Sequence, residues 1–241
     1  MKAILGTMNF GPQVDLATAE RMVQLFLAEG NREIDTAYVY NEGSTEVILG
    51  SIFPKLDRSS FSIASKANPR ISGKLDFASI MAQCYTSLER MQLAYLDLLY
   101  LHMPDSKTPI EESLEACNLL FNQGRIKAIG LSNFPSWLVA KAVEVCIRNN
   151  WEKPTVYQGL YNSLSRNVER ELFHCLREYD IKFYAYNPLA GGLLTGKHLS
   201  FDQAPPVGRF SRLESYRKRY WKKEYFDAVN TINDCCLDNG I

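Results

Sequence analysis

The chain reads as an α/β protein of the (β/α)8 (TIM) barrel class, short of its C-terminal eighth β/α unit. Three observations predict this. Apolar strand-like runs alternate with helix-period segments, which implies a parallel sheet with helical crossovers. Residues able to do chemistry fall at the C-terminal ends of many strands, not at one switch point, and that separates a barrel from a doubly wound sheet. The first βα turn, Gly6-Thr7-Met8-Asn9-Phe10-Gly11, is not G-x-G-x-x-G, so no dinucleotide fingerprint of the Rossmann type opens the chain.

In order, the first strand is expected over Ala3–Met8, then a helix over Leu16–Glu29 with Asp15 before it as N-cap. Glu33–Asp35 is a short strand and Ser44–Phe53 a helix. Strand Phe61–Lys66 precedes helix Asp76–Met91, and strand Leu96–His102 precedes helix Pro109–Asn122. Thr108-Pro109 with Glu111 and Glu112 opens that helix, because proline suits the first turn and carboxylates suit the positive helix end. Ala128–Ser132, helix Ser136–Asn149, Thr155–Gln158, helix Val168–Tyr179 and Ile181–Tyr186 complete the alternation. Residues 190–219 read as a long loop, with Gly191-Gly192, Pro205-Pro206, Gly208 and many basic residues. A last helix runs over Trp221–Leu237. The whole, 1–241, is expected to be a single barrel domain, C-terminally truncated. Seven strands and seven helices are counted, and an eighth unit of roughly 30 residues is missing. Two sheet edges would then be open.

Composition excludes some classes of partner. The 27 basic and 27 acidic side chains cancel, so net charge draws the chain to neither nucleic acid nor membrane. No apolar run approaches the ~20 residues that span a bilayer, and the N-terminus carries no signal-peptide core. The six cysteines form no C-x-x-C pair and lie mostly among apolar helix neighbours. Reduced cysteines in a reducing, cytoplasmic setting follow. His174 sits inside a helix, as a surface or packing residue, and His198 in a loop, expected to be solvated. The histidines have no i, i+4 partner and no acidic or thiol cluster, so no metal site is expected.

Four residues suggest a proton-transfer site. Asp35 closes Glu33-Ile34, Tyr40 follows five residues later, Lys66 ends Phe61-Ser62-Ile63-Ala64-Ser65, and His102 ends Leu96-Asp97-Leu98-Leu99-Tyr100-Leu101. A buried unpaired charge is expensive, so core-facing strands do not ordinarily end this way so often. A tyrosine has an unperturbed pKa of ~10, and a nearby ammonium stabilises its phenolate. Tyr40 would be the general acid, Lys66 and Asp35 the pair that tunes it, and His102 the donor that orients a carbonyl. Tyr38 is the rival phenol. Taken alone, Asp35 and Lys66 would read as a structural ion pair at a barrel rim; it is all four residues on consecutive strand ends that favour catalysis.

In Asp35-Thr36-Ala37-Tyr38-Val39-Tyr40, Ser65-Lys66-Ala67, Asp97-Leu98-Leu99-Tyr100-Leu101-His102 and Gly130-Leu131-Ser132-Asn133 the chain resembles the aldo-keto reductase family. Val156-Tyr157-Gln158-Gly159-Leu160-Tyr161-Asn162 and the run from Tyr184 to Lys197 extend the likeness. Pro188 to Lys197 and Arg219-Tyr220-Trp221-Lys222 resemble its aflatoxin-aldehyde and succinic-semialdehyde reductase subgroup. The resemblance implies a barrel that reduces aldehydes and ketones to alcohols with NADPH and no metal, and it is the five-residue spacing from Asp35 that picks Tyr40.

The resemblance further implies Ser132, Asn133 and Gln158 on the nicotinamide amide and Tyr186 stacked on its ring. Asn187, Leu189, Gly191 and Lys197 would clasp the pyrophosphate, and Arg209 belongs to the basic loop beyond. Their local alternatives are an N-cap for Ser132-Asn133, a packing aromatic for Tyr186 and a solvated charge run for the loop. Met8, Asn162 and Trp221 would line the substrate pocket, with Arg219 as an anchor for a substrate carboxylate. The expected partner is a small aldehyde or ketone, and a homodimer is compatible with the likeness. In relatives the last strand and helix grip the adenosine 2′-phosphate, so the alternative function is a catalytically impaired nucleotide-binding or regulatory protein.

Overall fold

The computed structural model describes residues 2–198, 200–203 and 205–240. Met1 and Ile241, at the ends of the expected domain, and Leu199 and Ala204, in the expected long loop, lie outside the described residues. The chain divides into two compact units, Met1–Gln158 with Cys175–Phe183, and Gly159–His174 with Tyr184–Ile241.

Seven strands form one sheet in strict chain order: β1 (Ile4–Gly6), β2 (Glu33–Asp35), β3 (Ser62–Ala67), β4 (Leu98–Leu101), β5 (Ile129–Ser132), β6 (Pro154–Leu160) and β7 (Lys182–Tyr186). Pairing from β1 through β6 is parallel. This is the strand order of a (β/α)8 barrel, with seven of its eight units among the described residues. The helices are α1 (Leu16–Ala28), α2 (Ser44–Ile52), α3 (Pro69–Ser72), α4 (Phe77–Met91), α5 (Ile110–Asn122), α6 (Ser136–Asn149), α7 (Leu172–Glu178), α8 (Arg209–Arg212), α9 (Glu214–Tyr220) and α10 (Lys223–Asp238). Among the described residues no helix is long and apolar enough to cross a membrane.

Local chemistry explains the elements. Asp15 accepts from Thr18 N–H at 2.8 Å and Asp76 from Ser79 N–H at 2.9 Å, capping α1 and α4. On α4, Ile80, Cys84, Ser87, Leu88 and Met91 recur at helical spacing and are buried. On α6, Val139, Ala142, Val143 and Cys146 do the same. Gln92 and Asn150 end these two helices in the left-handed conformation. The residues of β4 and β5 are buried throughout, as strands covered on both faces must be. Each large aliphatic side chain there contributes about 1.5–3 kcal/mol of burial.

Several boundaries differ from expectation for identifiable reasons. β4 begins at Leu98 because Asp97 turns its carboxylate onto Ile63 N–H (2.9 Å) and Arg58 (2.6 Å). Thr108 does not cap α5; its hydroxyl donates to Asp105 at 2.6 Å, and Pro109 stands at the cap without a side-chain bond. Val168 belongs to a 3₁₀ turn, Asn167–Glu169, held by Arg166 and Tyr161 on Glu169. The expected loop over 190–219 contains a 3₁₀ turn, Ala190–Thr195, together with α8 and α9. Cys84, Cys117 and Cys146 are buried, and burial pushes Cys84 and Cys146 up to about 12.

α2 meets α4 at Gly50, where an added Cβ would stand 2.0 Å from the Arg90 carbonyl oxygen. Nothing lies within 4 Å of a Cβ at Gly6. Gly50→Ala should therefore cost about 1–3 kcal/mol, as overpacking does, and lower the melting temperature by several degrees. Gly6→Ala should leave it nearly unchanged. Equal melting of the two variants would contradict this packing.

Candidate active site

The first unit gathers the ionisable groups at the C-terminal ends of its strands. Asp35 is the last residue of β2, Lys66 lies in β3, and His102 follows β4 directly, its N–H on the Ala67 carbonyl at 2.9 Å. Lys66 is 1% exposed. Its ammonium donates to an Asp35 carboxylate oxygen, to the Thr36 carbonyl at 2.6 Å and to the Tyr40 hydroxyl at 3.4 Å. The second Asp35 oxygen accepts from Gln158 Nε2 at 2.8 Å. Burial alone would lower the Lys66 pKa; the Asp35 carboxylate and Tyr40 outweigh it, and the result lies above the usual lysine value.

Tyr40, not Tyr38, carries the hydroxyl that meets Lys66. The Tyr38 ring lies under the Arg90 guanidinium at 4.3 Å. The loop between them is tied down on both sides. Arg90 donates to the Tyr38 carbonyl (3.2 Å) and pairs with buried Glu46 (3.1 Å), which also accepts from Ser65 at 2.7 Å. Asn41, Glu42 and Gly43 all have positive φ. Asn41 stabilises this turn by donating to the Met8 and Phe10 carbonyls, both at 2.9 Å. Gly43 takes φ 91°, a conformation that favours glycine, and a Cβ there would push on the Arg90 guanidinium 2.5 Å away.

His102 faces Tyr40 edge-on, ring centroids 6.0 Å apart. Its Nδ1 is 3.0 Å from Asn68 Nδ2, and its carbonyl accepts from Asn133 Nδ2 at 2.9 Å. Burial, followed by the nearby Lys66 and Arg70 charges, pushes its pKa down to about 3. The ring is neutral at physiological pH.

Three assignments at this end acquire specific contacts. Ser132 is buried, and its hydroxyl accepts from Asn133 at 3.0 Å. These two residues do not cap α6, whose cap position is Pro135. Gln158 is buried and holds Asp35. Met8 is half-buried and contributes its carbonyl to Asn41.

The chain matches the Aldo/keto reductase family over residues 2–241. The chain belongs to that family. It is 46% identical over 236 residues to human aldo-keto reductase family 7 member A3, covering 95% of this chain and 71% of that protein. It is 47% identical over 237 residues to human aflatoxin B1 aldehyde reductase member 2 (95% and 66%). The mouse protein of the latter name is 46% identical over 236 residues (95% and 64%). The chain thus spans about two thirds of the length of these curated relatives.

In this aldo/keto reductase the second unit has its own apolar core of Ala190, Leu193, Phe210, Tyr220, Trp221, Phe226 and Val229. Trp221 is part of that core, its ring 4.9 Å from Phe226 and its indole N–H on the Phe201 carbonyl at 2.9 Å. His198, expected in solvent, packs edge-on against Phe210 and Trp221 at 5.2 and 5.3 Å. Asn162 is buried; its amide donates to the Asn187 carbonyl and accepts from Leu164 N–H, both at 2.9 Å. The Asn187 side chain lies between the Tyr216 and Tyr220 hydroxyls, each at 3.3 Å. Gly191, at φ 71°, admits the Tyr216 ring, 2.8 Å from where a Cβ would stand. Arg209 lies over that ring at 4.9 Å. Leu189, Lys197 and Arg219 are exposed, and Tyr186 is half-buried.

Asn41, Asn68, Gln83, Glu46 and Arg90 escaped the sequence reading. Asn68 before Pro69 carried a local signal, as an N-cap ahead of a first-turn proline.

The His102 shift has a definite sign. The unfolded histidine takes up a proton near pH ~6.5, and the folded one only near about 3. Between these values the unfolded chain binds more protons, so stability is lost as pH falls, by about 1.4 kcal/mol per unit from this residue. Urea unfolding should show wild type losing more stability than His102→Gln between pH 6 and pH 4. Parallel losses would mean that His102 titrates normally.

Proposed function

We propose that the chain reduces aldehydes to alcohols, with NADPH as reductant. The observation that carries this reading is the Lys66 ammonium, buried between the Asp35 carboxylate and the Tyr40 hydroxyl beside a neutral imidazole. The names of the aflatoxin B1 aldehyde reductases, to which the chain is similar, support an aldehyde as substrate class.

When bound, the nicotinamide supplies hydride to the carbonyl carbon. The negative charge then developing on the carbonyl oxygen needs a proton, and Tyr40 is its proposed source. Lys66 stabilises the phenolate left behind, and Asp35 keeps Lys66 charged and aimed. His102, neutral, keeps one N–H as a hydrogen-bond donor to the carbonyl oxygen.

The donor set near Asp35 fits a carboxamide. Ser132, which accepts from Asn133, has its own hydrogen to give, and Gln158 keeps a carbonyl oxygen beyond the amide group spent on Asp35. Ser132, Asn133 and Gln158 are therefore proposed to hold the nicotinamide amide. Tyr186 as stacking residue and Asn187, Leu189, Gly191, Lys197 and Arg209 as phosphate ligands rest on family resemblance. So do Met8, Asn162 and Trp221 as pocket residues and Arg219 as carboxylate anchor. A cytoplasmic location belongs to the same reading.

The test is aldehyde-dependent oxidation of NADPH, with 4-nitrobenzaldehyde as probe. Tyr40→Phe should lower kcat by at least ~10²-fold, while NADPH still quenches tryptophan fluorescence as in wild type. A fully active Tyr40→Phe enzyme would sink the mechanism. Saturable NADPH binding by a wild-type chain that never turns over would instead indicate a nucleotide-binding role.

A further inference from the structure

We propose that Asn68 is a positioning residue that holds His102 in the tautomer with hydrogen on Nε2. The inference deepens the proposed carbonyl chemistry and rests on it for its functional consequence. Its structural basis lies in a chain of hydrogen bonds outside the four reacting groups.

Asn68 follows β3 by one residue and caps α3. Its backbone is held on both sides by Gln83 of α4, itself only 4% exposed. Asn68 N–H donates to Gln83 Oε1 at 2.8 Å, and Gln83 Nε2 donates to the Asn68 carbonyl at 3.2 Å. Its side-chain oxygen accepts from Arg70 N–H at 2.9 Å. That bond decides which way the amide points, because a reversed amide would set NH2 against N–H. Nδ2 is therefore the atom that faces His102 Nδ1 at 3.0 Å.

An amide nitrogen only donates. Nδ1 of His102 must accept, and in a neutral ring the hydrogen then sits on Nε2. The charged groups acting on the ring from β3 and α3 are Lys66 and Arg70, both cations, and both oppose a second proton. The ring's backbone is fixed as well, through Ala67 on its N–H and Asn133 on its carbonyl. A fixed tautomer keeps Nε2–H as the donor for a carbonyl oxygen and leaves proton delivery to Tyr40.

Histidine-labelled protein without cofactor gives a direct readout, since imidazole ¹⁵N shifts separate the two tautomers. The chain has three histidines, and a His102→Gln spectrum assigns the signal. Wild type at pH 7 should show protonated Nε2 and bare Nδ1. Asn68→Asp keeps the cap but presents only acceptors, and it should move the proton from Nε2 to Nδ1. Asn68→Ser keeps the cap and removes the donor, and it should give a mixture. With the aldehyde probe, Asn68→Asp should lower kcat by about 10²-fold, as removal of a donor to the reacting oxygen does, with little change in KM.

A wild-type ring carrying its hydrogen on Nδ1, or an Asn68→Asp ring unchanged from wild type, would overturn the assignment. So would a changed tautomer with undiminished kcat. If the spectra come out as expected but wild-type protein reduces no aldehyde, the carbonyl reading fails while the tautomer assignment stands.

Discussion

The structure of the first unit turns on one buried ion pair, Lys66 with Asp35. Taking an ammonium out of water costs several kcal/mol even after the protein relaxes. The cost is offset by a carboxylate, the Thr36 carbonyl and Gln158 on the second Asp35 oxygen. Lys66 lies on β3 and its partners at the end of β2 and on β6, so the pair is met only if the strands end at matching heights. The observed registers, Asp35 beside Ala64, Lys66 beside Tyr100 and Ser132 beside Gln158, satisfy that condition. Fold and site are coupled here: loss of either ion would leave its partner buried and uncompensated.

The same cation separates the roles of its neighbours. It sits against the phenol of Tyr40, where positive charge favours the phenolate, and near His102, where it disfavours an imidazolium. In the proposed chemistry one buried charge thus pushes two adjacent groups toward different tasks, an acid that gives its proton away and a ring that stays neutral. Arg90 and Glu46 extend the arrangement outward by fixing the turn on which Tyr40 is carried.

Much of this was legible in the chain. Apolar runs that stop at Asp35, Lys66 and His102 mark strand ends, and the family resemblance, through its five-residue step, picks Tyr40 over Tyr38 as the phenol that the structure sets beside Lys66. What was not legible depends on partners distant in sequence. Arg90 reaches Tyr38 across 52 positions, and Asn68 reaches His102 across 34. No local pattern announces such pairs. His198 looked solvated because it follows Gly196-Lys197 in an expected loop, yet Phe210 and Trp221 pack on it. The glycine- and proline-rich stretch hid α8 and α9, since turn residues between short helices read as continuous loop.

Pro69 begins α3 directly after Asn68, and this neighbour bears on how long the site survives. Asparagine ages to aspartate when the following backbone nitrogen attacks the side-chain amide and expels ammonia. Proline has no N–H to give up, so that route is closed at Asn68. At Asn239 the following residue is Gly240, which offers no such obstacle. The residue whose conversion to a carboxylate would reverse the hydrogen bond on His102 is thus chemically shielded by the one beside it. A helix-starting proline here acts as a preservative for an amide of the candidate site.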